Sequence, residues 1–177
     1  MPITDSLLPE FDHEMANTRK TLERAPDQQW NWKPHEKSGT LGWLVGHVGT
    51  VPEWITMTIN TEELDYAPVG GPTYQPPKLE NRAQLLAAFD KAAAEARAAL
   101  ANVSDAELGK GWKLLAGGKE VFTLPRIACI RSMCLNHMIH HRAQLTVYYR
   151  LLGIPVPGLY GPSADETVPS SADAAGS

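Results

Sequence analysis

The sequence predicts an all-α protein, a four-helix bundle with long crossover connections and a small β-hairpin before the last helix. Four segments repeat apolar residues every three or four positions, which is the spacing of helices that bury one face. The connectors at about residues 26–39 and 61–80 are long and rich in proline and glycine, unlike tight turns between antiparallel helices. Gly117 and Gly118 separate two short apolar runs before the last helix, a pattern typical of a hairpin.

The four predicted helices are bounded by residues that commonly begin and end helices. They span about residues 5–25, 41–60, 82–101 and 124–152. Thr40, Asn81 and Thr123 are the predicted N-caps of the last three helices, and Gly153 is predicted to end the fourth. Pro52 lies inside the second helix and should kink it, because proline removes a backbone hydrogen-bond donor.

Length and composition indicate one globular domain. We expect a single domain over residues 1–162 and a small polar tail over 163–177. The formal net charge of −4 argues against a nucleic-acid-binding protein, which usually has a basic surface. No apolar run is long enough to span a membrane, and the N-terminal residues do not follow a signal-peptide pattern. Cys129 and Cys134 fall on different sides of the last helix, so we expect reduced thiols in a cytoplasmic protein.

Three of the six histidines fall within the stretch NHMIHHRAQL of the last helix. At about 100° per residue, His137 and His141 lie on the predicted buried seam, whereas His140 points to the flank. Two imidazoles four residues apart on one helix are spaced to bind one metal ion. The alternative is a pair of core histidines that form hydrogen bonds with backbone or hydroxyl groups.

A metal site needs more than two protein ligands, and His47 is the candidate for the third. It is the only ionisable residue between Leu41 and Pro52, in an otherwise apolar run. The alternative is an imidazole that forms a hydrogen bond across the helix interface. His13 and His35 lie in polar surroundings and are expected at the surface.

Several other side chains are candidates for the surroundings of such a site. Gln144 lies about 20° from His137 on the helical wheel, so it could orient a ligand or remain solvated. Tryptophans could line the mouth of a pocket, with Trp54 and Trp30 as the selected candidates and Trp32 and Trp43 also available, or they could belong to the core. Arg142 falls away from the predicted seam and is expected in a surface or inter-subunit ion pair.

The segments LGWLVGH, NHMIHHRAQLTVYYRLLGIPVP and YGPSADE resemble the DinB-like family of bacterial four-helix proteins, which includes YfiT-like members. The resemblance covers nearly the whole chain. It implies a bundle in an up-down-down-up arrangement and one divalent metal ion, most often zinc or nickel. Carried over by position, the ligands are His47, His137 and His141.

Three neutral imidazoles would leave the full positive charge of such an ion uncompensated, so an open position should attract hydroxide or thiolate. Some relatives implied by the resemblance are thiol-dependent transferases and isomerases. We therefore expect a metal-dependent enzyme of the thiol S-transferase or hydrolase type, acting on a small molecule and possessing no obvious catalytic base. The alternatives are a non-catalytic metal-binding stress-response protein and a bundle that acts only through protein contacts.

Gly42, Gly46 and Gly49 cluster on one face of the second helix, where they could serve packing within the bundle or a two-fold contact. Together with the resemblance, they lead us to expect a homodimer. The other expected partners are a small-molecule substrate and a low-molecular-weight thiol, with neither nucleic acid nor membrane involved.

Overall fold

The computed structural model describes residues 1–72 and 77–166. Helices and three short strands follow one another along the chain. In order they are α1 (Ile3–Leu22), α2 (Leu41–Thr50), α3 (Glu53–Asn60), β1 (Glu63–Asp65), α4 (Arg82–Asn102), α5 (Asp105–Gly109), β2 (Gly111–Ala116), β3 (Lys119–Pro125), α6 (Arg126–Cys129), a π-helical turn (Ile130–Asn136) and α7 (His137–Leu151). Within the described ranges, no helix is both long enough and apolar enough to cross a membrane.

The prediction of an all-α four-helix bundle is wrong, because a three-stranded mixed sheet is part of the fold. The expected hairpin forms two of its strands, β2 and β3, which turn through Gly117 and Gly118 with φ of +60° and +74°. The third strand, β1, pairs parallel to β2 with Leu64 opposite Leu114. A strand of three residues inside a polar connector has too few positions to show an alternating pattern, so periodicity could not reveal it.

Asp65 holds β1 against the hairpin. Its carboxylate accepts hydrogen bonds from the backbone N–H groups of Gly117 (3.0 Å) and Gly118 (2.6 Å), and from Ala67 in its own connector (3.0 Å). The side chain therefore satisfies the backbone donors of the glycine turn, and fixes the start of the connector beside it.

The second predicted helix is two helices that meet at Val51 and Pro52. Thr40 caps α2 by accepting a hydrogen bond from the Trp43 N–H (3.1 Å), as predicted. The Trp54 N–H then donates to the Val51 carbonyl (3.0 Å), three residues back, where the chain passes into α3. The interruption lies where Pro52 predicted a kink.

The fourth predicted helix also differs from a regular α-helix. Thr123 is not its cap, because this residue belongs to β3 and the helix begins after Pro125. Gly153, with φ of +70°, follows the helix end as predicted, and the next N–H donates to the Tyr149 carbonyl (2.9 Å). Between α6 and α7 the chain makes the π-helical turn of residues 130–136.

The π-helical turn changes which residues of α7 face the core. In a π-helix each hydrogen bond spans five residues, so each residue turns the chain less than in an α-helix. The buried row of α7 is therefore Met138, Arg142, Leu145 and Tyr149. The seam predicted from the helical wheel is therefore about one residue out of register with the observed buried row. His137 and His141, which belong to the predicted seam, lie on the neighbouring, half-buried row.

Arg142 was expected at the surface, but only 1% of it is exposed. Its guanidinium donates to the Glu14 carboxylate (2.7 Å), the Glu14 carbonyl (3.1 Å) and the Thr18 hydroxyl (3.0 Å) on α1. The Tyr160 hydroxyl contacts the same guanidinium and donates to the Glu14 carboxylate (2.7 Å). This buried network ties α7 and the segment after it to α1, and satisfies the charges that burial removes from water.

Residues 163–166 begin the predicted tail, and Glu166 is held at the C-terminal end of α1. The Glu166 carboxylate accepts hydrogen bonds from Lys20 (2.8 Å) and Arg24 (2.7 Å). Residues 167–177 lie outside the described part of the chain, so the boundary between domain and tail stays a prediction.

Two glycines of α2 allow close packing inside the chain. A Cβ atom on Gly49 would lie 2.7 Å from Leu85 on α4, and one on Gly42 would lie 3.1 Å from Trp30. Gly46 faces open space. Gly42 and Gly49 are thus explained by packing within the chain. The homodimer stays a prediction.

The Arg142 network predicts a large stability cost on its disruption. Arg142→Met should lower the free energy of unfolding by about 3–5 kcal/mol, because the Glu14 carboxylate would remain buried without its cation. Denaturant unfolding followed by circular dichroism measures the change. The matched control is Arg150→Met on the exposed side of the same helix, where Arg150 pairs with Asp165 (2.6 Å). This control should cost much less, and equal losses in both variants would contradict the structural role assigned to Arg142.

Candidate metal centre

Three histidine side chains converge between α2 and α7. His47 comes from α2, and His137 and His141 come from consecutive turns of α7. The Nε2 atoms of His47 and His137 are 2.7 Å apart, and one ring nitrogen from each of the three residues lies within 4.8 Å of the others. Such a group could hold one metal ion.

The position of this group follows from the packing of α2 against α7. Leu44 and Val48 of α2 and Leu145 of α7 belong to one buried core. The three histidines lie beside these residues and are half-buried. For His137 and His141 this differs from the helical wheel, which indicated the innermost row of the last helix. The imidazoles are thus desolvated on the side of the core and accessible on the other.

Burial favours the neutral form of all three imidazoles. Desolvation, together with the charges of His141 and His137, lowers the pKa of His47 to about 4. Desolvation likewise lowers the pKa of His137 and of His141, although a hydrogen bond to Gln144 acts in the opposite direction on His141. Neutral imidazoles keep a free lone pair near neutral pH, as metal ligands require.

Gln144 contacts the site as a partner of one imidazole. Its Oε1 accepts a hydrogen bond from the His141 Nδ1–H (2.8 Å), and its amide nitrogen donates to His140 Nε2 (3.0 Å). The first bond places the His141 proton on Nδ1 and leaves Nε2 as the free ring nitrogen. His140 lies on the exposed flank, as expected from the helical wheel.

Two tryptophans surround the histidines. The Trp54 ring lies 5.6 Å from His47 and 5.4 Å from His137, between ring centroids. Trp43, which was not among the selected candidates, stacks on His47 at 5.1 Å with an interplanar angle of 8°. The spacing of four residues between Trp43 and His47 on one helix is the signal that could have selected it.

Trp30, the other tryptophan predicted to line the pocket, lies further from the histidines than Trp43 and Trp54 do. It packs against Gly42, its carbonyl accepts a hydrogen bond from the Gly42 N–H (2.8 Å), and its indole N–H donates to the Pro26 carbonyl (2.5 Å). Trp30 lines the same surface groove as Trp43. Its contacts fix the start of α2, the helix that carries His47.

An apolar cavity of about 250 Å³ lies on the other side of Trp54. It is bounded by α3, the sheet and the π-helical turn. Its apolar lining residues are Trp54, Met57, Leu64, Tyr66, Leu114 and Met133, and one carboxyl group, that of Glu53, joins them. Burial raises the pKa of Glu53, with Glu95 acting in the same direction and Lys91 opposing it. Sequence reasoning missed this cavity, because two of its walls come from the pairing of β1 with β2.

The sequence profile of the DinB superfamily matches residues 10–145, which include all three histidines. The chain belongs to the DinB superfamily. The family likeness seen in the sequence motifs is thereby confirmed, with a small sheet as part of the fold.

Solved structures and one curated protein resemble this chain. A DinB-like protein from Bacillus cereus ATCC 10987 is 23% identical, with a TM-score of 0.67 over 88% of this chain and 97% of that one. A DinB-like protein from Bacillus subtilis is 18% identical, with a TM-score of 0.66 over 89% and 99%. At these identities the likeness concerns the fold. The uncharacterized protein YrdA of Bacillus subtilis (strain 168) is 50% identical over 32 residues, a match that spans only 18% of this chain and 19% of YrdA.

Proposed function

We propose that this DinB-superfamily protein binds one divalent metal ion, zinc or nickel, through His47, His137 and His141. We further propose that it acts as a metal-dependent S-transferase on a low-molecular-weight thiol and a small electrophile. The thiol would lose its proton to solvent, its sulfur would form a bond to the electrophilic carbon, and the bond from that carbon to its leaving group would break, with the electron pair departing on the leaving group. The observation that carries the proposal is the convergence of three neutral imidazoles from two helices within 4.8 Å. Imidazole is a ligand that zinc and nickel share.

The donor set favours anion activation. The group contains no carboxylate, so its ligands add no negative charge. An ion held there would lower the pKa of a thiol or of water at the site. Thiol chemistry is preferred over hydrolysis, because thiolate is a soft ligand that zinc accepts readily, whereas hydroxide is a hard one.

The surrounding side chains support this role. Gln144 holds the His141 ring by its Nδ1–H, which fixes the orientation of the free Nε2. Trp43 stacks on His47 and Trp54 meets the same ring edge-on, so the two indoles limit the water around it. The protein therefore supplies imidazole nitrogens with fixed orientations in partly desolvated surroundings.

Alanine substitutions should identify the ligands. We expect His47→Ala, His137→Ala and His141→Ala each to lose the ion, because two imidazoles bind far more weakly than three. His140→Ala should retain it, since His140 lies on the flank. Elemental analysis of purified, untagged protein measures bound metal per chain. Retention by His141→Ala together with loss by His140→Ala would refute the assignment.

Removal of the ion should destabilise the fold, because the proposed ligands join α2 to α7. Binding to the native state alone contributes about 4 kcal/mol at a thousandfold excess over Kd, so chelation should lower Tm by roughly 10 °C. Differential scanning calorimetry with and without chelator measures the shift. His47→Ala is the control and should show no response to chelator. An unchanged Tm in the unsubstituted protein would mean that the ion is adventitious.

Cobalt substitution should report the thiol. Cobalt-loaded protein is titrated with glutathione, bacillithiol and mycothiol in turn, and a sulfur-to-metal charge-transfer band is expected with at least one of them, because an ion with only neutral ligands attracts a soft anion. Turnover of an electrophile with that thiol then distinguishes an enzyme from a metal-binding stress-response protein. A spectrum that responds to hydroxide or carboxylates but to no thiol at millimolar concentration would favour the hydrolase instead.

A further inference from the structure

The apolar cavity beside Trp54 is open to ligands and has the size of a small ring system. Its lining residues are half-buried or, in the case of Tyr66, 44% exposed, so the cavity is connected to the surface. Its volume of about 250 Å³ exceeds the roughly 150 Å³ of an apolar cavity known to hold benzene. A fused aromatic ring pair or a short branched alkyl group would fill it.

The lining of the cavity disfavours anionic ligands. Two methionines and two aromatic rings supply adaptable, polarizable contacts, and Glu53 is the one carboxyl group among the lining residues. Glu53 is itself half-buried, so its carboxyl group is partly removed from water. An anionic ligand would lose its own hydration there and meet a carboxyl group, whereas a neutral apolar group would lose only ordered water.

The cavity shares structural elements with the histidine site. The Trp54 side chain lines the cavity and lies 5.4 Å from the His137 ring. Met133 lines it from the π-helical turn, four residues before His137. A ligand in the cavity would therefore lie against the same tryptophan that contacts two of the three imidazoles.

We propose that this cavity binds the uncharged apolar group of the small electrophile and so places the electrophilic atom on the histidine side of Trp54. The substrate class is a neutral molecule with an aromatic or branched alkyl group next to its reactive carbon. The inference rests on the proposed function for its chemistry, but ligand binding in the cavity can be measured without metal or turnover.

The five methionines provide the readout. Met57 and Met133 line the cavity, whereas Met15 and Met138 are buried in the core and Met1 is at the exposed terminus. With isotope-labelled methionine methyl groups, titration with naphthylmethanol, a neutral and unreactive probe, should shift the NMR signals of Met57 and Met133 in a saturable manner. Unchanged signals for these two residues, or equal shifts for all five, would overturn the proposal.

Two variants make the test specific. Leu114→Trp fills the cavity from β2 and should weaken naphthylmethanol binding by at least about tenfold, because the ring loses its apolar contacts. Val121→Trp, on the exposed part of β3, is the matched control and should leave the affinity unchanged. Equal affinity in Leu114→Trp and the control would place the probe elsewhere and refute the proposal.

The charge of the probe provides an independent test of the proposal. Naphthoate should bind at least about tenfold more weakly than naphthylmethanol, and Glu53→Gln should narrow this difference. Comparable affinities in the unsubstituted protein would refute the selection for neutral ligands. Metal content and naphthylmethanol binding, both measured on the unsubstituted protein, separate the two proposals. Probe binding in the cavity without bound metal would count against the proposed function alone, whereas full metal content without probe binding would count against the cavity proposal alone.

Discussion

The packing of α2 against α7 is the interaction on which the histidine site depends. Residues 90 positions apart in the sequence, His47 and His137, approach within 2.7 Å only because apolar side chains beside them bury a shared core. The site occupies the edge of this interface, so its imidazoles lose enough water to stay neutral and remain accessible to a ligand. A centrally placed site would have been sealed by the core, and a more exposed one would have left the imidazoles free to ionise.

α7 carries two adjacent rows with different tasks. One row places Arg142 in a fully satisfied network with Glu14, Thr18 and Tyr160, and this network resists any rotation of the helix. The other row carries the histidines. Both rows belong to one rigid helix. The buried pair of Arg142 and Glu14 therefore also fixes the direction in which the imidazoles point, although it does not contact them. Because a buried charge pair contributes little net stability, we infer that this one serves to specify a single packed arrangement of α7 against α1.

The sequence correctly predicted features that depend on interactions between residues close together in the chain. The spacing of His137 and His141, the caps at Thr40 and Asn81, and the end of the helix at Gly153 all depend on neighbours within five residues. The features that were missed depend on distant contacts. The strand β1 exists through its pairing with β2, and Arg142 is buried because Glu14 lies opposite it on α1. A helical wheel assumes uniform rotation, so it could not anticipate a π-helical turn.

The π-helical turn has a consequence for the register of the last helix. Over residues 130–136 the turn accommodates about one residue more than an α-helix of the same rotation would. A deletion of one residue inside the turn would let it relax to α-helix while α7 keeps both of its rows in place. The same deletion between His137 and His141 would rotate the rest of α7 by about 100° relative to His137, so the two imidazoles would no longer share one face. The turn is thus a reserve of about one residue, so a one-residue deletion within residues 130–136 should leave the histidine site in place.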